Sequence, residues 1–205
     1  SGMSPLALGT DGGGSIRIPA ACCGLVGMKV TQYRVPMGPQ HDADIAHGYG
    51  VHHVVARTVR DSAAMLDAVD APEKDSPYPT PPKARPYLEE IALPPGRLRV
   101  AFSSETPRGV PVEPQIRDAL VKAAKMLESL GHHVEERNIP INYRKLYAAS
   151  QAVLGANFAY SMRARVIAMG REPEQHELEP LTWRNWKGGE RVTGHDAMRG
   201  WQTLR

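Results

Sequence analysis

The stretch Gly9–Gly24, GTDGGGSIRIPAACCG, sets three glycines directly ahead of Ser15 and follows it with Ile16, Arg17, Ile18 and Pro19. Glycine accepts positive φ but loses more conformational entropy on folding than any other residue, so three in a row before a hydroxyl suggest a backbone shaped for a ligand. Leu6, Ala7 and Leu8 lead in as a short apolar run ending at Gly9, Thr10 and Asp11, the pattern of a buried strand breaking into a turn. Asp11 and Arg17 carry opposite charges on either side of the glycines, and pairing across the base of the turn would fix its shape.

Three familiar glycine motifs each fail here at one residue. A phosphate-gripping Walker loop needs Lys before its Ser or Thr, a dinucleotide fingerprint needs a third glycine where Arg17 stands, and the hydrolase nucleophile elbow needs a glycine at that same position. What remains is a serine preceded by the open N–H groups of Gly12, Gly13 and Gly14, together with its own. Successive amides in such a turn can converge into an anion-binding concavity. Acyl transfer needs that combination: a nucleophile, and donors aimed at the oxygen that turns negative as the carbonyl becomes tetrahedral. A glycine run alone is usually only a flexible turn, and it is the flanking residues that change this estimate.

The rest of the chain bounds the class. Its 205 residues suit one domain able to bury roughly 70% of its unfolded surface. Gly at 19 and Pro at 18 imply long loops. The net charge of +3 comes from scattered Lys and Arg without a basic run, so a nucleic-acid arm is not expected. The only cysteines, Cys22 and Cys23, are adjacent, which excludes a disulfide framework and reads as small buried thiols in a reducing compartment. No apolar run reaches membrane-spanning length and no secretory signal opens the sequence, so a cytoplasmic setting is expected.

Along the chain, Gly24–Thr31 reads as a second strand and residues 32–50 as surface loop. Thr58 and Asp61 open a helix over 59–69, with Val59, Ala63, Leu66 and Val69 on one face. Residues 70–86 are too rich in proline for a core element, which divides the chain into a nucleophile-bearing segment over 1–70, a Pro-rich loop over 71–97 and a later portion over 98–205. In that portion, Leu98–Phe102 reads as a strand, Ile116–Leu130 as a helix stopped by Gly131, and His133–Arg137 as a return strand, a βαβ-like unit. A long helix over about 143–169 and a short one from the Thr193–Asp196 capping box follow. The pairs His52-His53 and His132-His133 read as surface residues. Trp183, Trp186 and Trp201, with Arg184 and Lys187 nearby, read as packing on a helix face.

The stretch SGMSPLALGTDGGGSIRIPAACCGLVGMKVT resembles the core of the amidase signature family, and RTVRDSAAMLDAV and the segment Leu98–His132 resemble its later elements. The resemblance implies an α/β fold, a mixed, largely parallel sheet flanked by helices, incomplete at the N-terminal side and at the C-terminal side. It implies that Ser15 attacks an amide carbonyl, that the amides of Gly12, Gly13, Gly14 and Ser15 hold the oxyanion, and that Thr10, Asp11 and Arg17 support the loop. The doubled Cys22-Cys23 is similar to a branch that hydrolyses linear and cyclic amide oligomers. Val30 and Gln32-Tyr33 stand where the family usually has proline and Arg-Gly.

The family's proton transfer uses a lysine and a cis-peptide serine upstream of this segment, so the 205 residues alone are expected to be nearly inactive, and Lys29 is expected to be structural. The leading expectation is an amide hydrolase with a small-molecule amide substrate, no metal and no cofactor; homodimerisation stays open. The alternatives are an amidotransferase subunit serving a charged tRNA and a non-catalytic anion-binding fragment.

Overall fold

The computed structural model describes residues 2–36, 50–72, 80–138 and 140–204. It divides into two compact units, Ser1–Pro94 and Pro95–Arg205. Residues 37–49 and 73–79, within the expected loops, lie outside the described residues.

In the first unit, β1 (Leu6–Asp11) runs into the glycine loop and then α1 (Arg17–Cys23), followed by β2 (Val26–Gly27), β3 (Val51–Ala56) and α2 (Val59–Val69). The sheet order is β1-β3-β2 with both pairings antiparallel, Leu6 opposite Ala56 and Asp11 opposite Val51. Among the described residues β1 is thus an edge strand, with Leu8 exposed, not the buried strand its apolar run suggests. The expected strand over Gly24–Thr31 shrinks to Val26–Gly27, and β3, which the sequence reading did not mark, supplies the centre. Val30, Val35, Val51 and Leu66 form the core, with Val69 and Tyr87 packed against it. Tyr33 holds φ 62, so a left-handed conformation persists where the family usually carries glycine.

α2 begins as expected, with the Asp61 N–H donating to Thr58 Oγ1 at 3.0 Å. Its far end clamps the described part of the Pro-rich connection. Asp67 accepts from Lys83 Nζ at 2.8 Å and from the backbone N–H groups of Tyr87 and Leu88, both at 2.9 Å, at the start of α3 (Tyr87–Glu90). Lys83 and these two amides hold the Asp67 carboxyl at about 2. Asp70 takes Arg34 at 3.4 Å and Lys83 at 3.6 Å.

Two expectations about side chains are corrected. His53 is buried in β3, with Nε2 2.9 Å from Ser62 Oγ on α2, because the central strand is covered on both faces. Cys22 and Cys23 are exposed free thiols, since α1 turns Ile16 and Ala20 inward and leaves its last turn outside.

The second unit opens with β4 (Arg99–Phe102), α4 (Pro114–Ser129) and β5 (His133–Glu136), the expected crossover, with β4 and β5 parallel. The mixed α/β class with flanking helices holds; among the described residues the parallel pairing lies in this unit and the sheet beside the glycine loop is antiparallel. Then come α5 (Tyr143–Met169), capped by Asn142 accepting from Lys145 N–H at 3.0 Å, α6 (Pro180–Gly189) and α7 (Gly194–Leu204). Thr193 Oγ1 accepts from Asp196 N–H at 3.1 Å, the start its sequence indicates. Trp186 is fully buried, meets Trp183 edge-to-face with centroids 5.4 Å apart, and carries Lys187 Nζ 3.8 Å above its ring. α6 crosses α5 at Gly189, where a Cβ would run into the Gly155 carbonyl and come within 3.1 Å of Ala159 Cβ.

Two outcomes follow from this packing. Gly189→Ala should lower unfolding stability by about 1–3 kcal/mol, read from urea midpoints, because neither backbone at the crossing can give way cheaply; an unchanged midpoint would show that the crossing is loose. Burial holds His53 below its ordinary pKa of 6.5, so the unfolded chain binds a proton that the folded site rejects. Stability should therefore fall as pH drops through that value, and His53→Gln should flatten the slope in denaturant titrations between about pH 8 and pH 5.

Candidate active site

The glycine loop is built around one carboxylate. Asp11, the last residue of β1, has no solvent exposure. Its Oδ1 accepts from Gly14 N–H at 2.7 Å and Arg17 Nη2 at 2.9 Å, and its Oδ2 from Arg17 Nε at 2.8 Å and the Ile16 and Arg17 N–H groups, each at 3.3 Å. The guanidinium approaches as a fork, the geometry that suits a carboxylate best. A buried charge without partners would be expensive, and here five N–H groups replace the water it gave up. Arg17 above all, then the backbone donors, hold the Asp11 carboxyl far below the ordinary carboxylate range against the opposing effect of burial. The same pairing raises Arg17, whose side chain is 51% exposed.

This clamp decides which amides are free. The Gly14 N–H, expected among the oxyanion donors, is engaged by Asp11, because the loop closes on the carboxylate through that peptide. Among the described residues, no protein acceptor takes the amides of Gly12, Gly13 or Ser15. Gly12, Gly13 and Ser15 are exposed and Gly14 is buried, so the serine lies on the outside of the loop while the peptide that closes it is inside. Thr10 lies one residue before the clamp on β1, opposite His52 on β3. Lys29 is half-buried just past β2 and outside a strand.

Two apolar residues, Ile16 and Ile18, complete the loop, a role their place in the sequence does not announce. Ile16 is fully buried and sits against Gly9 and Gly27, and with Ala20 it forms the inward face of α1; their spacing of four was the available signal. Ile18 is 61% exposed, yet its Cδ1 lies 2.5 Å from where a Gly14 Cβ would be. Gly14 has φ +120, a conformation that demands glycine there. Among the described residues, no group of three or more His, Cys, Asp or Glu side chains is arranged to hold a metal ion, and no helix is long and apolar enough to cross a membrane.

A mixed α/β chain that presents an exposed serine on a carboxylate-clamped glycine loop has the architecture of the amidase signature enzymes. The family profile described as Amidase matches residues 1–200, and the chain belongs to that family. It is 33% identical over 195 residues to the 6-aminohexanoate-cyclic-dimer hydrolase of Paenarthrobacter ureafaciens, covering 94% of this chain and 40% of that protein. The lipoamidase of Enterococcus faecalis is 28% identical over 200 residues, with 98% of this chain and 25% of that protein covered. Among solved structures, a 6-aminohexanoate cyclic dimer hydrolase complexed with substrate superposes with a TM-score of 0.86 at 31% identity, covering 98% of this chain and 42% of that one. A bacterial aryl acylamidase of the amidase signature family superposes at 0.84 with 24% identity over 98% of this chain and 42% of that one, a likeness of fold. The chain therefore spans less than half the length of these relatives.

The clamp makes a pH prediction. Because the folded Asp11 stays ionised well below the ordinary value of 3.8, its contribution to stability is complete above that value and is lost as pH falls below it. Asp11→Asn should unfold at lower urea than the parent at neutral pH, and the gap between them should close on acidification. A gap that stays constant down to about pH 2 would mean that Asp11 acts through shape alone.

Proposed function

We propose that the protein is an amide-bond hydrolase in which Ser15 is the nucleophile. Ser15 Oγ attacks the amide carbonyl carbon, the C–N bond breaks to release the amine and leave an acyl ester on Ser15, and water then attacks that ester to release the acid. The amides of Gly12, Gly13 and Ser15 are the donors open to the developing oxyanion, while Gly14, Asp11 and Arg17 form the frame that holds them, with Thr10 in the strand leading to it. The observation that carries the reading is an exposed serine hydroxyl placed beside uncommitted amides on a loop locked by a fully buried carboxylate.

A serine hydroxyl must hand its proton to a base as it attacks, and the leaving amine must receive one. Among the described residues, no hydrogen bond or ion pair couples a base to the Ser15 hydroxyl, and the resemblance assigns that task to a lysine and a second serine outside this segment. We accordingly propose that the 205 residues by themselves are nearly inactive and that a longer form carrying those groups is the working enzyme. A small-molecule amide is the proposed substrate, supported by the 6-aminohexanoate-cyclic-dimer hydrolase it resembles, and a cytoplasmic setting is proposed with it.

Active-site labelling tests both parts. A fluorophosphonate probe should mark Ser15 in the full-length protein, and Ser15→Ala should remove the label and lower kcat by about 10³-fold or more. The 205-residue chain should stay unlabelled under the same conditions. Persistent labelling of the Ser15→Ala protein would place the nucleophile elsewhere.

A further inference from the structure

The peptide that joins Gly14 to Ser15 carries the Gly14 carbonyl on one side and the Ser15 N–H on the other, pointing in opposite directions because the unit is planar and trans. Whatever fixes the carbonyl therefore aims the amide. The Ile18 N–H donates to the Gly14 carbonyl oxygen at 2.7 Å. The Ile18 side chain then closes over the Gly14 Cα, with Cδ1 and Cγ1 at 2.5 and 3.0 Å from the position a Cβ would take. On the far side of Gly14, its own N–H is tied to Asp11 at 2.7 Å. Gly14 at φ +120 is thus held at its amide, its carbonyl and its α-carbon.

We propose that Ile18 is a positioning residue for the reaction: by packing on Gly14 it fixes the tilt of the Gly14–Ser15 peptide and so directs the Ser15 N–H at the oxyanion. The inference rests on the proposed role of Ser15. Asp11 takes the N–H groups of Gly14, Ile16 and Arg17, which belong to peptides before and after the Gly14–Ser15 unit, so it touches neither polar group of that peptide, whereas the Gly14 ψ rotation that tilts it moves it against the Ile18 side chain. Ile18 is 61% exposed, so little of its side chain is committed to the core and truncation removes the contact with Gly14 at small cost elsewhere. The backbone donor at residue 18 survives truncation, which isolates the packing contact.

The effect must appear in the transition state and not in substrate binding, since the amide strengthens its bond as the oxygen gains charge. Deleting an oxyanion donor outright costs about 10²–10³ in kcat, so mis-aiming one should cost less: about thirty-fold for Ile18→Ala and about three-fold for Ile18→Val, which keeps the Cγ contact. In the full-length protein, kcat should fall in that order for amide hydrolysis, with KM within about two-fold and Tm nearly unchanged. A kcat equal to the parent in both variants, or a loss confined to KM or to Tm, would overturn the role. Should Ile18→Ala fail to fold, Ile18→Val decides alone, an unchanged kcat overturning the proposal. Ser15→Ala in the same assay separates the two readings: activity surviving in it removes the parent assignment, whereas activity lost in it but kept at parent level in the Ile18 variants removes only this one.

Discussion

The fully buried carboxylate of Asp11 is the constraint from which the first unit's functional end is built. Its charge is tolerable inside only if donors surround it, and the chain can deliver them only by turning sharply after β1 and starting a helix at once. The three glycines make that turn, the Gly14, Ile16 and Arg17 amides supply the backbone donors, and the Arg17 guanidinium closes the fork. Everything else about the loop follows from this demand. Gly14 becomes internal frame, and the serine after it is left exposed.

Stability elsewhere is spread over small contacts. The first unit's core cluster is made of Val30, Val35, Val51 and Leu66, each worth about 1.5–3 kcal/mol when fully buried. Polar ties supplement it, with Asp67 and Asp70 anchoring the described part of the Pro-rich connection to α2. The second unit relies on close helix approach instead: Trp186 fills its interior and Gly189 lets α6 meet the backbone of α5. These are different solutions to one problem, the scarcity of large aromatic residues in a chain with only 6% of them.

In the proposed reaction the loop and the proton route are separable parts. Donors locked in place before substrate arrives stabilise charge without reorganising during the reaction, which is why a rigid frame around Gly14 serves catalysis. A base acts by taking and returning a proton, and it can come from any part of the chain that reaches the hydroxyl. In that proposal the loop and the proton route need not come from the same stretch of chain.

Local chemistry was readable without coordinates. The Asp11–Arg17 pair, the Thr58 and Thr193 helix starts and the long helix over 143–169 follow from opposite charges, hydroxyl caps and apolar spacing, all properties of neighbouring residues. What depended on distant residues was misread or missed. His53 looks like a surface residue until β3 lies between β1 and β2 under α2; Cys22 and Cys23 look internal until α1 turns its other face inward. The allotment of the loop amides is local by contrast: Asp11 stands three residues from Gly14, yet residue types alone do not say which amide the carboxylate takes. The sequence by itself determined the residue types at the loop and its charge partner, because those interact across a few bonds. The tertiary structure decided burial and sheet direction, because both depend on surfaces brought together from far along the chain, and the closed shape of the turn decided which amides Asp11 takes.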